Sequence, residues 1–393
     1  MIKRANFTAI LSVLAMVMLP ALGFVELATL RELVGRLVPI FVFVIAISIV
    51  VNVSSQVGLF EEVVARMEKL APKHKALRPM VLWSLLILLA LVVTVFLSLD
   101  TTAVMITALA IPLARRNNIP VVGVAFAVVW IANIASMPLP VSNLTNLLAL
   151  GSDAFAGTLD YLSYSWKPAL MAIILAVAAA GIFTLLQSRI SRNHEISSRS
   201  TSSQCPRSRL LIVCAGVVVV LIPVLVTPIS YWLSTSVAAI IILIACVPRH
   251  SNLISADLVP WNSLLLVTVV STVATLTHSI GLAEWLNGLN PANPDSYPEL
   301  LAIAGAGGLA ANLMNNIPAF LFLEPLVSTP ASYIALLIGV NAAPIITPWA
   351  SLATLLWHDQ LRRAGVHISW GKFMLLGCIL APVVVLLPVA MLV

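Results

Sequence analysis

The residues Ser98-Leu99-Asp100-Thr101-Thr102-Ala103-Val104-Met105-Ile106-Thr107 decide how the chain is read. They set one carboxylate, Asp100, between two apolar runs, Met80 to Leu97 and Ala103 to Ala114, the second closed by Arg115 and Arg116. A charge at membrane depth costs ~3 kcal/mol or more on insertion scales, so a chain keeps one only where it is paired, hydrated or used. A proton or ion site gives the charge a use. Asp is also a good helix cap, and Asp100 stands before a helical run. Ser or Asn would cap as well without bringing a charge into the bilayer.

Composition agrees. Of 393 residues, 61% are hydrophobic and only 9% charged, against about 25% charged in globular chains. The apolar runs have helix-spanning length, so the chain reads as an all-α polytopic membrane protein. Soluble-core and nucleic-acid-binding classes are excluded at this step. The net charge of +6 then concerns orientation rather than an acidic partner. Met1 to Phe24 starts with two basic residues and turns apolar without a small-residue cleavage site, which reads as a first spanning helix. Glu26, Arg31, Glu32 and Arg36 read as the short loop after it. Cys205, Cys214, Cys246 and Cys378 have no metal-ligand spacing, and no metal or cofactor is expected.

Spanning helices are predicted near 7–25, 37–57, 168–186, 210–226, 228–247, 260–278 and 373–392. Four runs are interrupted: 80–114 at Asp100, 119–150 at Ser136-Met-Pro-Leu-Pro-Val-Ser-Asn-Leu-Thr-Asn146, 300–327 at Asn315-Asn316-Ile317-Pro318, and 331–357 at Ala343-Pro-Ile-Ile-Thr-Pro348. The order of elements repeats, which predicts two inverted repeats, 1–186 and 228–393. Between them lie a Ser/Arg-rich cytoplasmic linker, 187–209, and a connecting helix, 210–227. Two re-entrant hairpins and two broken helices would meet near the midplane, as in inverted-repeat transporters.

Charge supports this topology. With the N-terminus cytoplasmic, 18 of the 21 Lys and Arg fall inside and only Arg31, Arg36 and Lys167 outside, as the positive-inside rule requires. The C-terminus then lies outside, and the chain sits multi-pass in the inner or plasma membrane. At ~1.5 Å per residue, Ala103 to Ala114 is too short to cross a ~30 Å core, which favours re-entrant hairpins over full spans.

The interruptions gather polar, mostly uncharged groups. Candidates are Asp100 for proton coupling, with Thr101, Thr102, Ser142, Asn143, Asn146, Asn315, Asn316, Asn341, Thr347 and Ser351 for solute binding. No Lys or Arg stands at either hairpin tip, so the set suits a small hydroxylated neutral solute better than a multiply charged anion. Asn and Ser beside Pro can equally serve backbone groups freed by a break. Glu324 reads as a snorkelling interfacial residue, and His278, His358 and His367 as solvated helix-end residues. Trp130, Trp166, Trp232, Trp261 and Trp370 read as belt anchors. Cys214, Cys246 and Cys378, near cytoplasmic helix ends, could gather around a soft metalloid. An intramembrane enzyme would need paired catalytic groups at depth, and none is present.

The motifs Ser142-Asn-Leu-Thr-Asn146, Asn315-Asn-Ile-Pro318 and Thr347-Pro-Trp-Ala-Ser-Leu-Ala-Thr-Leu-Leu-Trp357, followed by Ile368-Ser-Trp370, resemble the ArsB-type arsenite efflux permeases of the ion transporter superfamily. The likeness runs from about residue 35 to the end and is most specific over 347–370. It implies secondary active export of arsenite or antimonite, as the neutral trihydroxide, in exchange for protons. It also implies elevator-like motion of the hairpins and broken helices, and pairing with a soluble ATPase. The Asp-bearing tip is shared with sodium/proton antiporters and organic-anion carriers, which stand as the alternative. Against the arsenite pattern the chain carries Leu99, Ala108, Ala343, Trp349 and Ala350.

Overall fold

The computed structural model describes residues 27–190, 209–247, 253–288, 293 and 295–393. The expected first spanning helix near 7–25, most of the 187–209 linker and Cys205 lie outside the described residues. Among the described residues the chain is helical throughout, with no strand. Five helices among the described residues are long and apolar enough to cross a membrane.

In chain order the helices are α1 (Leu27–Gln56), α2 (Leu59–Leu70) and α3 (Leu77–Phe96), then a return arm, α4, made of Leu99–Thr101, a π turn Thr102–Ile106 and Thr107–Arg116. Next come α5 (Val121–Ile134), α6 (Leu144–Leu150), α7 (Thr158–Ile190), α8 (Arg209–Val224) and α9 (Tyr231–Cys246). The second half has α10 (Trp261–Thr277), α11 (Tyr297–Met314), α12 (Asn316–Leu323), α13 (Pro330–Ala342), α14 (Leu352–Arg363) and α15 (Trp370–Val389).

The first correction concerns α1. Its helix covers Leu27–Gln56, so Arg31, Glu32 and Arg36 are helical rather than in a loop. Charged residues one and two turns apart are compatible with a helix whose polar side faces out of the apolar core, and tertiary contacts hold it: Arg36 is pinned to distant elements described below. Likewise α7 starts ten residues earlier than the apolar run suggests, at Thr158.

Both interrupted runs are hairpins, and their meeting ends prove it. Arg78, at the start of α3, donates to the Asn117 side chain just after α4, at 2.9 Å. Glu68 of α2 closes the same end by accepting from Arg116 and Asn117 at 3.2 and 2.9 Å. In the second hairpin, Thr329 donates to Asp295 at 2.6 Å, joining the residues that flank its two arms. The arm-length argument for the first hairpin does not hold. α3 has 20 residues, about 30 Å at ~1.5 Å each, and α4 begins at Leu99 rather than Ala103.

The two hairpins open at opposite ends. Arg115 of α4 donates to the carbonyl of Ala364, beyond α14, at 2.8 Å. At the other end Arg36 bonds both the Leu148 carbonyl in α6 and Glu324 after α12. The broken helix α5–α6 therefore runs antiparallel to α13–α14.

Small residues let the second half close tightly. A Cβ on Gly339 would stand 2.1 Å from the Ala304 carbonyl, and one on Gly377 1.9 Å from that of Ile345. An aromatic cluster of Phe126, Trp130, Phe183, Trp357 and Phe373 seals α5 against α7, α14 and α15. Trp130, 3% exposed, is thus a core residue and not a belt anchor, because α5 is walled on every side.

Candidate functional site

The two hairpin tips share a backbone device. Ser98 and Asn315 take φ values of 143° and 102°, in the region that favours glycine. Each then caps the arm that follows. The Ser98 hydroxyl accepts from the Thr101 amide at 3.2 Å, and the Asn315 side chain from the Ile317 amide at 3.3 Å. Capping therefore belongs to Ser98 and not to Asp100, whose carboxylate has no hydrogen bond or ion pair among the described residues.

Asp100 borders a cavity of about 230 Å³. Both tips and both breaks reach it: Ser98, Asp100 and Thr101 from the first hairpin, Asn143 from the first break, Asn316 from the second tip and Ser351 from the second break. The far wall is α1 and α10, with Ser48, Asn52 and Ser263 among mostly apolar neighbours. No Lys or Arg lines it. Ser351 is fully buried and its hydroxyl has no partner among the described residues. Asn316, 5% exposed, has no side-chain hydrogen bond among the described residues.

Of the ten residues expected to bind solute, Thr101, Asn143, Asn316 and Ser351 therefore line the cavity with Asp100. The other six are spent inside the protein. Thr102 shares a hydrogen bond with Thr94 at 2.8 Å across the first hairpin. Ser142 donates to the Val95 carbonyl at 2.7 Å, tying the first break to that hairpin. Asn315 donates to the Trp349 carbonyl at 2.9 Å. Thr347 bonds the Asn312 carbonyl at 2.9 Å, while the Asn312 side chain accepts from the Thr347 amide and donates to the Ala343 carbonyl.

Asn146 and Asn341 belong to a brace between the two broken helices. The Asn341 oxygen accepts from Asn143 at 2.9 Å and from Thr145 at 2.7 Å, and its amide donates to Asn146 at 2.8 Å. Asn146 in turn donates to the carbonyls of Ser136 and Leu139. Broken helices free backbone groups that must be satisfied inside the protein, and these side chains do so. Ser98, Asn312 and Thr145 play parts that residue type alone did not single out; only their position beside an interruption pointed to them.

Other residues are also placed differently from expectation. Glu324 is no snorkelling group: it accepts from both Nη atoms of Arg36, at 2.5 and 3.0 Å. His278 packs edge-on to the Phe322 ring with a buried Nε2 that has no partner among the described residues, and His358 stacks on Trp370 with ring centres 4.0 Å apart. Cys214 and Cys246 are buried and Cys378 is exposed. Among the described residues no three His, Cys, Asp or Glu gather as metal ligands, so the thiols do not form a trap of three.

Comparison with known proteins now bears on this geometry. Residues 2–345 match the family model described as citrate transporter, and residues 328–393 one described as arsenical pump membrane protein. The arsenical pump membrane protein of Escherichia coli (strain K12) is 26% identical over 362 residues, covering 86% of this chain and 82% of that one. That of Yersinia enterocolitica is 27% identical over 365 residues, with the same coverage. The putative arsenical pump membrane protein of Bacillus subtilis (strain 168) is 25% identical over 406 residues, covering 93% of this chain and 89% of its own. The resemblance to arsenite permeases thus holds over most of the chain, and the matched families are transporters rather than enzymes. A polytopic helical protein whose two hairpin tips and two helix breaks converge on one cavity, the chain belongs to the citrate transporter family of membrane transporters.

Proposed function

We propose that the chain exports arsenite or antimonite, as the uncharged trihydroxide, in exchange for protons. The observation that carries this reading is the cavity's chemistry. Among the described residues one carboxylate without a partner, Asp100, shares the lining with the unbonded Asn316 amide and Ser351 hydroxyl, and with Thr101 and Asn143, which are bonded to Ser98 and Asn341, and no cation lines it. Amides and hydroxyls bond a neutral hydroxylated solute in any orientation, since each hydroxyl both donates and accepts. A carboxylate-rich anion such as citrate would meet Asp100 as a like charge. At ~4 Å that repulsion is about 4 kcal/mol per charge pair at an effective dielectric near 20, and no Arg or Lys offsets it.

Asp100 is the proton carrier in this scheme. Solute and proton occupy the cavity in turn, because protonation of Asp100 changes which groups can bond the solute. The hairpins and broken helices, tied to one another by Ser142, Asn312, Asn315 and Asn341, shift as one body against α1 and α10. We further read residues 1–186 and 228–393 as inverted repeats, with 187–209 as cytoplasmic linker, 210–227 as connecting helix and the N-terminus in the cytoplasm. A soluble ATPase docking on the cytoplasmic side belongs to the same reading and is only what the resemblance to arsenite permeases implies.

The test is uptake into everted membrane vesicles at two pH values. Arsenite accumulation that rises with the imposed pH difference supports the proposal. The family model's description gives an organic-anion carrier a specific footing, so labelled citrate and sodium form the control arms. Citrate or sodium movement without arsenite movement would reassign the substrate.

A further inference from the structure

One side chain of α1, outside the cavity, reaches across to the opposite body. Arg36 of α1 donates to Glu324, in the turn after α12 at the open end of the second hairpin, through both Nη atoms at 3.0 and 2.5 Å. Its Nε and Nη2 also donate to the carbonyl of Leu148, in the last turn of α6, the former at 3.1 Å. Helix-end carbonyls lack an intrahelical partner, so a cation there is well placed. Tyr333 of α13 adds its hydroxyl to Glu324 at 3.4 Å. The arginine stem lies on Gly151, where a Cβ would stand 2.8 Å from Arg36 Cγ. The two charged side chains are only 19% and 15% exposed, which shields the pair from screening.

We propose that Arg36 is a latch. It holds the body formed by the hairpins and broken helices against α1 in the arrangement seen here, and it must release Glu324 and Leu148 for the cavity to change sides. This inference rests on the moving-body reading of the proposed function but not on the identity of the solute. Arg36 and Glu324 lie far from Asp100 along the chain and outside the cavity lining, so the latch sets which side the cavity faces rather than what it binds. The planar fork matters: only a guanidinium bonds a carboxylate bidentately while keeping donors for a carbonyl.

The test follows the facing of the cavity rather than transport. The full chain, with its four cysteines replaced by Ser and Leu144→Cys in the cavity lining, is labelled in vesicles by a membrane-impermeant maleimide from each side. Arg36→Gln and Glu324→Gln should each change the ratio of the two labelling rates about five- to tenfold in the same direction. The double variant should go no further than Arg36→Gln alone, because that change already removes the contacts to both Glu324 and Leu148. Gly151→Ala, which displaces the arginine stem while leaving both charges, should move the ratio the same way by a smaller factor. An unchanged ratio in all of these, while the parent's ratio still responds to arsenite, citrate or pH, overturns the latch alone. A parent ratio that responds to none of arsenite, citrate and pH overturns the moving body and the latch together.

Discussion

Replacing Asn341 tests whether the brace holds the two broken helices together. Asn341 is 1% exposed and makes three hydrogen bonds, accepting from Asn143 and Thr145 and donating to Asn146. In Asn341→Ala all three are lost. Asn143 borders the cavity, so water can restore its bond at little cost. Thr145 and Asn146 are fully buried, and an orphaned buried polar group costs ~1–3 kcal/mol. Two such groups, with the lost packing of the amide, sum to about 4 kcal/mol of destabilisation. Asn341→Asp should behave differently. A carboxylate keeps the two accepted bonds but faces the Asn146 oxygen, and Asn146 cannot turn round because its amide is committed to Ser136 and Leu139 at 2.8 and 3.0 Å. The assay is the unfolding midpoint of detergent-purified protein together with the monodisperse fraction on size exclusion. The Ala variant should lose most of its folded yield and Asp a part of it. An Asn341→Ala protein that melts with the parent and transports normally would refute the brace.

Three more outcomes are expected. Asp100→Asn leaves the Ser98 cap untouched and so should fold normally, yet it removes the coupled charge. The electrical part of the gradient, ~2.3 kcal/mol per charge per 100 mV, sustains about fifty-fold accumulation, so steady-state uptake in energised vesicles should fall toward equilibration and lose its pH dependence; retained pH-driven accumulation counts against the role. Gly339→Ala forces a methyl against the Ala304 carbonyl, and overpacking of ~1–3 kcal/mol should lower the melting midpoint with no change in solute preference. Trp357→Phe removes the indole donor to the Ala125 carbonyl, 2.9 Å away in a fully buried site, and should cost ~1–3 kcal/mol, read by the same melting assay.

The membrane class, the four interruptions and Asp100 were legible because hydropathy is a local signal and a lone carboxylate breaks it visibly. What residue type could not tell was where each amide points. Asn146, Asn341 and Asn316 look alike in sequence, yet two are locked into the brace and one faces the cavity. The difference is made by partners up to 198 residues away. The Arg36–Glu324 pair, 288 residues apart, was hidden for the same reason: each charge alone looks like an interfacial residue. The cap at Ser98 was missed because Asp is as good a cap as Ser, and only the φ of 143° tells which residue turns the chain.

The amides across the two breaks also bind one half of the polypeptide to the other. Severed within 191–208, the fragments would each expose groups that only their counterpart can satisfy: Asn143, Thr145 and Asn146 on one side, Asn341 on the other, with the Ala125 carbonyl awaiting Trp357. Neither piece is a transporter in waiting. The smallest competent unit is both together, a marriage that co-expressed fragments should be able to contract without a peptide bond between them.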